Sequence, residues 1–151
     1  MQLEYEIIDQ RESYPYDLLL LADETVEAIN KYLFDSEVFL VKMEKEAIGV
    51  FCLYERDGTT VELKNMAVSQ TMQGKGIGSA VLDHIKDLSR KNYDRILVGT
   101  ADVGTKQIDF YERNGFVKVG IRKNFYIDNY DLPIFENGVQ LRDMVLLEYR
   151  L

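Results

Sequence analysis

Val61-Glu62-Leu63-Lys64-Asn65-Met66-Ala67-Val68, followed a few residues later by Gln73-Gly74-Lys75-Gly76-Ile77-Gly78, reads as a strand that runs through a glycine loop into a helix. The first run is apolar enough for a buried strand, and Ile77, Val81, Ile85 and Leu88 then trace the apolar stripe of a helix. Three glycines at alternate positions leave the backbone bare where the strand turns into the helix, so successive N–H groups can point at an anion. A phosphate or pyrophosphate is the natural occupant, helped by the helix dipole and by Lys75. The competing reading is a tight glycine turn without a ligand. A Walker loop is excluded, because Gly76 follows Lys75 and Ser69 stands five positions before Gly74. The dinucleotide fingerprint fails at its last glycine, where Ser79 stands, and the loop does not follow the first strand of the chain.

Before this stretch, Leu3, Tyr5 and Ile7 suit a first strand, and Asp23-Glu24 precedes Val26, Ile29 and Leu33 at helical spacing. Val38 to Met43 and Ile48 to Tyr54 read as strands joined by a hairpin over Lys42 to Glu46, and Asp57-Gly58 marks the next turn. Beyond the glycine loop, Ile96-Leu97-Val98 suits a buried strand, and Thr105 to Asn114 a helix stopped by Asn114-Gly115. Phe116 to Ile121 and Met144 to Tyr149 read as strands around an irregular stretch from Asn124 to Asn137. Hairpins at the start and a strand–helix–strand crossover in the middle give an α/β fold, α+β by stricter usage, with a mixed sheet and helices on both faces.

The 151 residues match one domain, 1–151, with neither a linker-like segment nor an internal repeat, and 46% hydrophobic content supplies its core. Lys and Arg total 18 against 26 Asp and Glu, a net charge of −8, which argues against nucleic acid and modestly favours a cationic partner. One cysteine and one histidine exclude a disulfide scaffold and a zinc site built from those residues, and no metal is expected. The N-terminus has no basic and apolar leader, and no apolar run is long enough to span a membrane, so the expected location is cytoplasmic.

Gln73, Gly76 and Gly78 fit the pattern Q/R-x-x-G-x-G/A, and here the chain resembles the GNAT superfamily of acetyl-CoA-dependent N-acetyltransferases. Leu63 to Val68 resembles the family's fourth strand, and Phe110-Tyr111-Glu112-Arg113-Asn114-Gly115-Phe116 is similar to its F-Y-x-x-x-G-F signature. The similarity is good over about Val61 to Val119, while the first sixty residues match only in the order of elements. It implies a twisted, mostly antiparallel sheet of six to seven strands and an acetyl group moved from acetyl-CoA to a primary amine by direct attack in a ternary complex. GNAT-like folds that keep the cofactor loop and lose the chemistry supply the alternative, a non-catalytic acyl-CoA-binding sensor or interaction module.

The resemblance also distributes roles. Gln73, Gly74, Lys75, Gly76, Gly78 and Ser79 form the coenzyme A pyrophosphate loop, and a bulged fourth strand offers main-chain groups near Met66 and Val68 to the pantetheine. Asp102 stands where relatives often carry a cofactor-contacting Asn, and a carboxylate can only accept there. Tyr111 is the general acid for the leaving sulfur, and the Val68 N–H is the oxyanion donor. Glu62, at a position where some members use a glutamate through water, is the expected general base, although an alternating strand could equally send it to solvent. The interleaved aromatics and acids Phe125, Tyr126, Asp128, Asn129, Tyr130 and Asp131 suit a cationic small-molecule amine, with Tyr126, Asp128 and Tyr130 as its contacts. A polyamine, an aminoglycoside-like compound, an amino-acid derivative and a protein amine all stay open, as does a homodimer. Cys52 reads as a buried small hydrophobe, and His84 has no partner for a triad.

Overall fold

The alternation of apolar residues predicted along the early strands builds a sheet with two covered faces. The computed structural model describes residues 2–9 and 12–151. Its main sheet contains β1 (Glu4–Ile7), β2 (Glu37–Met43), β3 (Glu46–Glu55), β4 (Thr60–Val68), β5 (Arg95–Ala101), β6 (Val117–Arg122) and β9 (Met144–Arg150), in spatial order β1-β2-β3-β4-β5-β9-β6. Only β4 and β5 pair in parallel, as the intervening helical crossover requires; every other pair is antiparallel. This is the mixed, mostly antiparallel architecture expected from the sequence.

Successive side chains on a strand face opposite ways, and the two cores follow from that. Phe39, Val41, Phe51, Leu53, Val61 and Leu63 pack with Val81, Leu82 and Ile85 of α3 (Ile77–Ser89) and with Ile108 of α4 (Thr105–Arg113). The intervening Val38, Val50, Cys52 and Ala67 pack on the other face with Leu18 and Leu19 of α1 (Tyr16–Leu19) and Ile29, Tyr32 and Leu33 of α2 (Val26–Leu33). Thr25 caps α2, its hydroxyl accepting from the Ala28 N–H at 3.1 Å.

The hairpin expected over Lys42 to Glu46 joins β2 and β3, turning on Glu44 and Lys45, both at positive φ without glycine. Two other features depart from the sequence reading. The stretch read as irregular holds α5 (Phe125–Asp128) and a hairpin of β7 (Phe135–Glu136) and β8 (Val139–Gln140). That hairpin turns on Asn137-Gly138, both left-handed, a dipeptide suited to a two-residue turn but flanked by strands too short to leave a periodic signal. Among the described residues no helix is long and apolar enough to cross a membrane.

Candidate active site

The glycine loop is built as a cradle. Gly74 and Gly76 sit at φ of +78° and +79°, and a Cβ on either would meet nothing within 4 Å, so glycine is required by the dihedral and the space above the loop is open. Gly78 serves differently: a Cβ there would lie 3.4 Å from the Phe110 ring, where α3 and α4 approach. The first helical hydrogen bond of α3 runs from Ala80 N–H to Gly76 O, and among the described residues the N–H groups of Ile77, Gly78 and Ser79 have no protein acceptor. The Gln73 side-chain amide donates to the Val68 carbonyl at 2.9 Å and fastens the loop to the end of β4. Lys75 is exposed beside it. Gly76→Ala is expected to cost about 1 kcal/mol for the left-handed residue, read as a fall of about 2–4 °C in Tm.

Beside the loop the sheet opens. Asn65 pairs with Cys52 and Leu63 with Leu53, which leaves Lys64 as an extra residue, a bulge in β4. The parallel ladder to β5 ends at that point, its last pair being Leu63 with Val98. Ser69 N–H donates to Ile48 O, toward β3, so the main-chain groups of Val68 and Met66 face the other way, into the opening. A cavity of about 530 Å³ occupies the region, lined there by Met66, Val68, Gln73, Gly99, Thr100 and Tyr111.

Tyr111 is half-buried between the rings of Phe110 and Phe116, with centroids 5.2 and 5.3 Å away. Among the described residues nothing hydrogen-bonds its hydroxyl, and burial pushes the phenol up to about 12. It therefore carries its proton at neutral pH. The helix bearing it is held to the loop: Asn114 Nδ2 donates to Phe110 O at 2.8 Å and to Ser79 Oγ at 3.4 Å, and Lys86 Nζ donates to Asn114 O at 2.6 Å.

Glu62 lines the same cavity but is only 2% exposed, and three cations surround it. Arg56 Nη1 lies 2.7 Å from Oε1, Lys64 Nζ 3.3 Å from Oε2, and both Arg122 terminal nitrogens donate to the carboxylate at 3.1 Å. Burial alone would raise its pKa; the Arg122 hydrogen bonds, with Lys64 and Arg56, outweigh it and hold the carboxyl below its ordinary range.

The remaining wall is acidic and aromatic. Asp23, Glu24, Tyr32, Tyr126, Tyr130 and Glu136 line it. Asp23 accepts from Tyr130 at 2.6 Å and from Tyr32 at 2.9 Å, and Tyr32 in turn accepts from Asn65 at 3.1 Å. The Tyr126 and Tyr130 rings stack with centroids 5.8 Å apart. Burial, then Asp23 and Glu136, push the Glu24 carboxyl up. Asp128 is exposed on α5 outside this lining, and so is Asp102, whose N–H donates to Asp143 O.

Residues 34–118 match the model of the acetyltransferase (GNAT) domain. The chain belongs to the GNAT acetyltransferase family. The uncharacterized N-acetyltransferase YvbK of Bacillus subtilis (strain 168) is 37% identical over 147 residues, covering 97% of this chain and 95% of the relative. Among solved structures, a GNAT family acetyltransferase from Elizabethkingia anophelis with acetyl-CoA bound is 39% identical, with a TM-score of 0.94 over 99% of this chain and 98% of that one. An IAA acetyltransferase from Bacillus cereus ATCC 14579 is 32% identical with a TM-score of 0.90, covering 99% and 100%.

Membership makes this GNAT chain an acyltransferase with an acceptor substrate, and the site shows which of its residues the sequence left unread. Asp23 and Glu24 carry a helix-start signal and nothing else, yet Asp23 meets Tyr130 across 107 positions. Arg122 and Glu136 lie in strands whose local pattern carries no sign of a cavity. Cys52 is buried with its thiol pushed up to about 12 by that burial, which suits a packing role. His84 stacks on Tyr5 at 3.7 Å between ring centroids, on β1 and away from the cavity lining.

Proposed function

We propose that the chain moves an acetyl group from acetyl-CoA to the primary amine of a small molecule by direct attack within a ternary complex. The observation that carries this reading is the run of unacquired N–H groups at the start of α3 beside the opening between β4 and β5, with Tyr111 on the same cavity. The residues fit the cofactor: open space stands over Gly74 and Gly76, and the freed edge of β4 suits a chain containing amides. When bound, acetyl-CoA supplies the acetyl group as a thioester.

The backbone at Gly74, Gly76, Gly78 and Ser79 would hold the diphosphate, with Gln73 keeping the loop in place and Lys75 adding charge. Met66 and Val68 would offer main-chain partners to the pantetheine amides, and the Val68 N–H a donor to the charge that develops on the acetyl oxygen. Tyr111 donates the proton that the departing sulfur needs. Tyr126 and Tyr130, with Asp23, Glu24 and Glu136, receive the amine as a cation. Asp128 and Asp102 lie outside the cavity lining and take no part in this reading.

The bound ammonium would lose one proton through water to Glu24, whose raised proton affinity and position on the cavity suit the task, and so become the neutral amine that attacks; the second proton, released from nitrogen as the amide forms, would restore the one Tyr111 gives to the sulfur. This replaces the assignment of Glu62 expected from the sequence. A carboxylate held by Arg122, Lys64 and Arg56 binds a proton weakly, and its part is to position those cations.

The test is thiol release from acetyl-CoA across a panel of small amines, with calorimetry of coenzyme A binding alongside. Release that depends on the amine is the expected result. Tight coenzyme A binding without amine-dependent release would instead mark a cofactor-binding module, and absence of binding would overturn the whole assignment.

A further inference from the structure

We infer that the acceptor is a small amino carboxylic acid, its carboxylate received by Arg122 and Lys64 at the Glu62 end of the cavity. The inference rests on the acetyl-transfer reading and adds the acceptor's class to it.

One carboxylate, Glu62, faces Arg56, Lys64 and Arg122, all within 3.3 Å, so the group carries an excess of two positive charges. Among the described residues, Glu62 is the one acid that forms an ion pair with any of the three. Lys64 and Arg122 both line the cavity and are about four-fifths buried. Cations removed from water and only partly compensated favour an anion. Arg122 spends its terminal fork on Glu62, and of its five N–H donors those left over, with the Lys64 ammonium, are what a second carboxylate would meet. If the cluster only joined strands, one of these two cations would suffice to neutralise Glu62, and nothing would bring both to the cavity.

The opposite charge lies elsewhere on the same cavity. Asp23, Glu24 and Glu136 line it beside Tyr126 and Tyr130, and among the described residues none of the three forms an ion pair with Lys64 or Arg122. Lys64 Nζ lies 6.0 Å from the ring of Tyr32, whose hydroxyl donates to Asp23, so the basic and acidic ends meet at Tyr32. A cavity with separated signs selects a molecule that carries both, and disfavours a simple polyamine at its basic end.

The experiment compares matched pairs that differ only by the carboxylate: alanine with ethylamine, phenylalanine with 2-phenylethylamine, 4-aminobutanoate with propylamine. Each is measured by calorimetry on the coenzyme A-loaded protein and by thiol release from acetyl-CoA. In at least one pair the acid is expected to bind about tenfold or more tightly than its partner, as a charged hydrogen-bonding contact gives. Arg122→Gln should shrink that ratio toward one and Arg122→Lys should recover part of it, with folding of both followed by circular dichroism. Wild-type ratios near one in every pair, or no binding by any acid, overturn the inference whatever the variants do. Acetylation of amines without preference for the acids would leave the acetyl-transfer reading standing and sink this one. Selective binding of the acids with no acetylation of any compound would do the reverse.

Discussion

Tyr111→Phe is expected to lower kcat by about 10²-fold or more, with coenzyme A affinity close to that of the unmodified protein. The substitution removes one oxygen and keeps the ring that packs between Phe110 and Phe116, so α4 stays in place and the donor is lost. Because burial pushes the phenol up to about 12, the unmodified protein keeps its donor protonated through neutral and mildly alkaline pH. Its kcat/KM should therefore show no decline from this group through neutral and mildly alkaline pH. Single-turnover thiol release and coenzyme A calorimetry check both halves. Turnover unchanged in the Phe variant would remove Tyr111 as the acid, and a collapse of coenzyme A affinity would make it a packing residue.

What the sequence disclosed about this site was what lies close together along the chain. The glycine loop needs only neighbours: left-handed dihedrals at Gly74 and Gly76 and a helix that starts at once at Ile77. Tyr111 was reached by its place in a short signature, and the opening beside β4 was implied by the family's bulge, here at Lys64. The acidic and aromatic wall and the Glu62 cluster were largely hidden. Asp23 takes its meaning from Tyr32 and Tyr130, and Glu62 from Arg56, Lys64 and Arg122, which come from the end of β3, the bulge of β4 and the end of β6. Lys64 and Arg56 lie within six positions of Glu62, but no period or local motif links Arg122 to Glu62 or Tyr130 to Asp23 across 60 and 107 positions; only the fold brings those together. The same limit explains Glu62 itself. Alternation along β4 left its direction open, and the structure turns it inward at 2% exposure because three cations meet it there.

Glu62→Gln is expected to destabilise the protein by about 3 to 5 kcal/mol, since it leaves three cations facing one another with no buried anion. For a domain of this size that is roughly 10 °C or more in Tm. The pH dependence has a definite sign. The folded carboxyl titrates below its ordinary 4.5, so its stabilising contribution is complete above that value and is lost as pH falls from 4.5 through the lower folded value. The gap in Tm between the unmodified protein and Glu62→Gln should therefore be widest near neutrality and close in acid. Arg56 is the most exposed of the three cations, so Arg56→Gln should recover part of the loss in the Glu62→Gln background by relieving repulsion. An equal Tm for the two proteins at pH 7 would mean that the cations are screened by water and that Glu62 holds nothing in place. The excess positive charge on which an acceptor carboxylate depends would then be gone as well, because cations so well hydrated attract an anion only weakly.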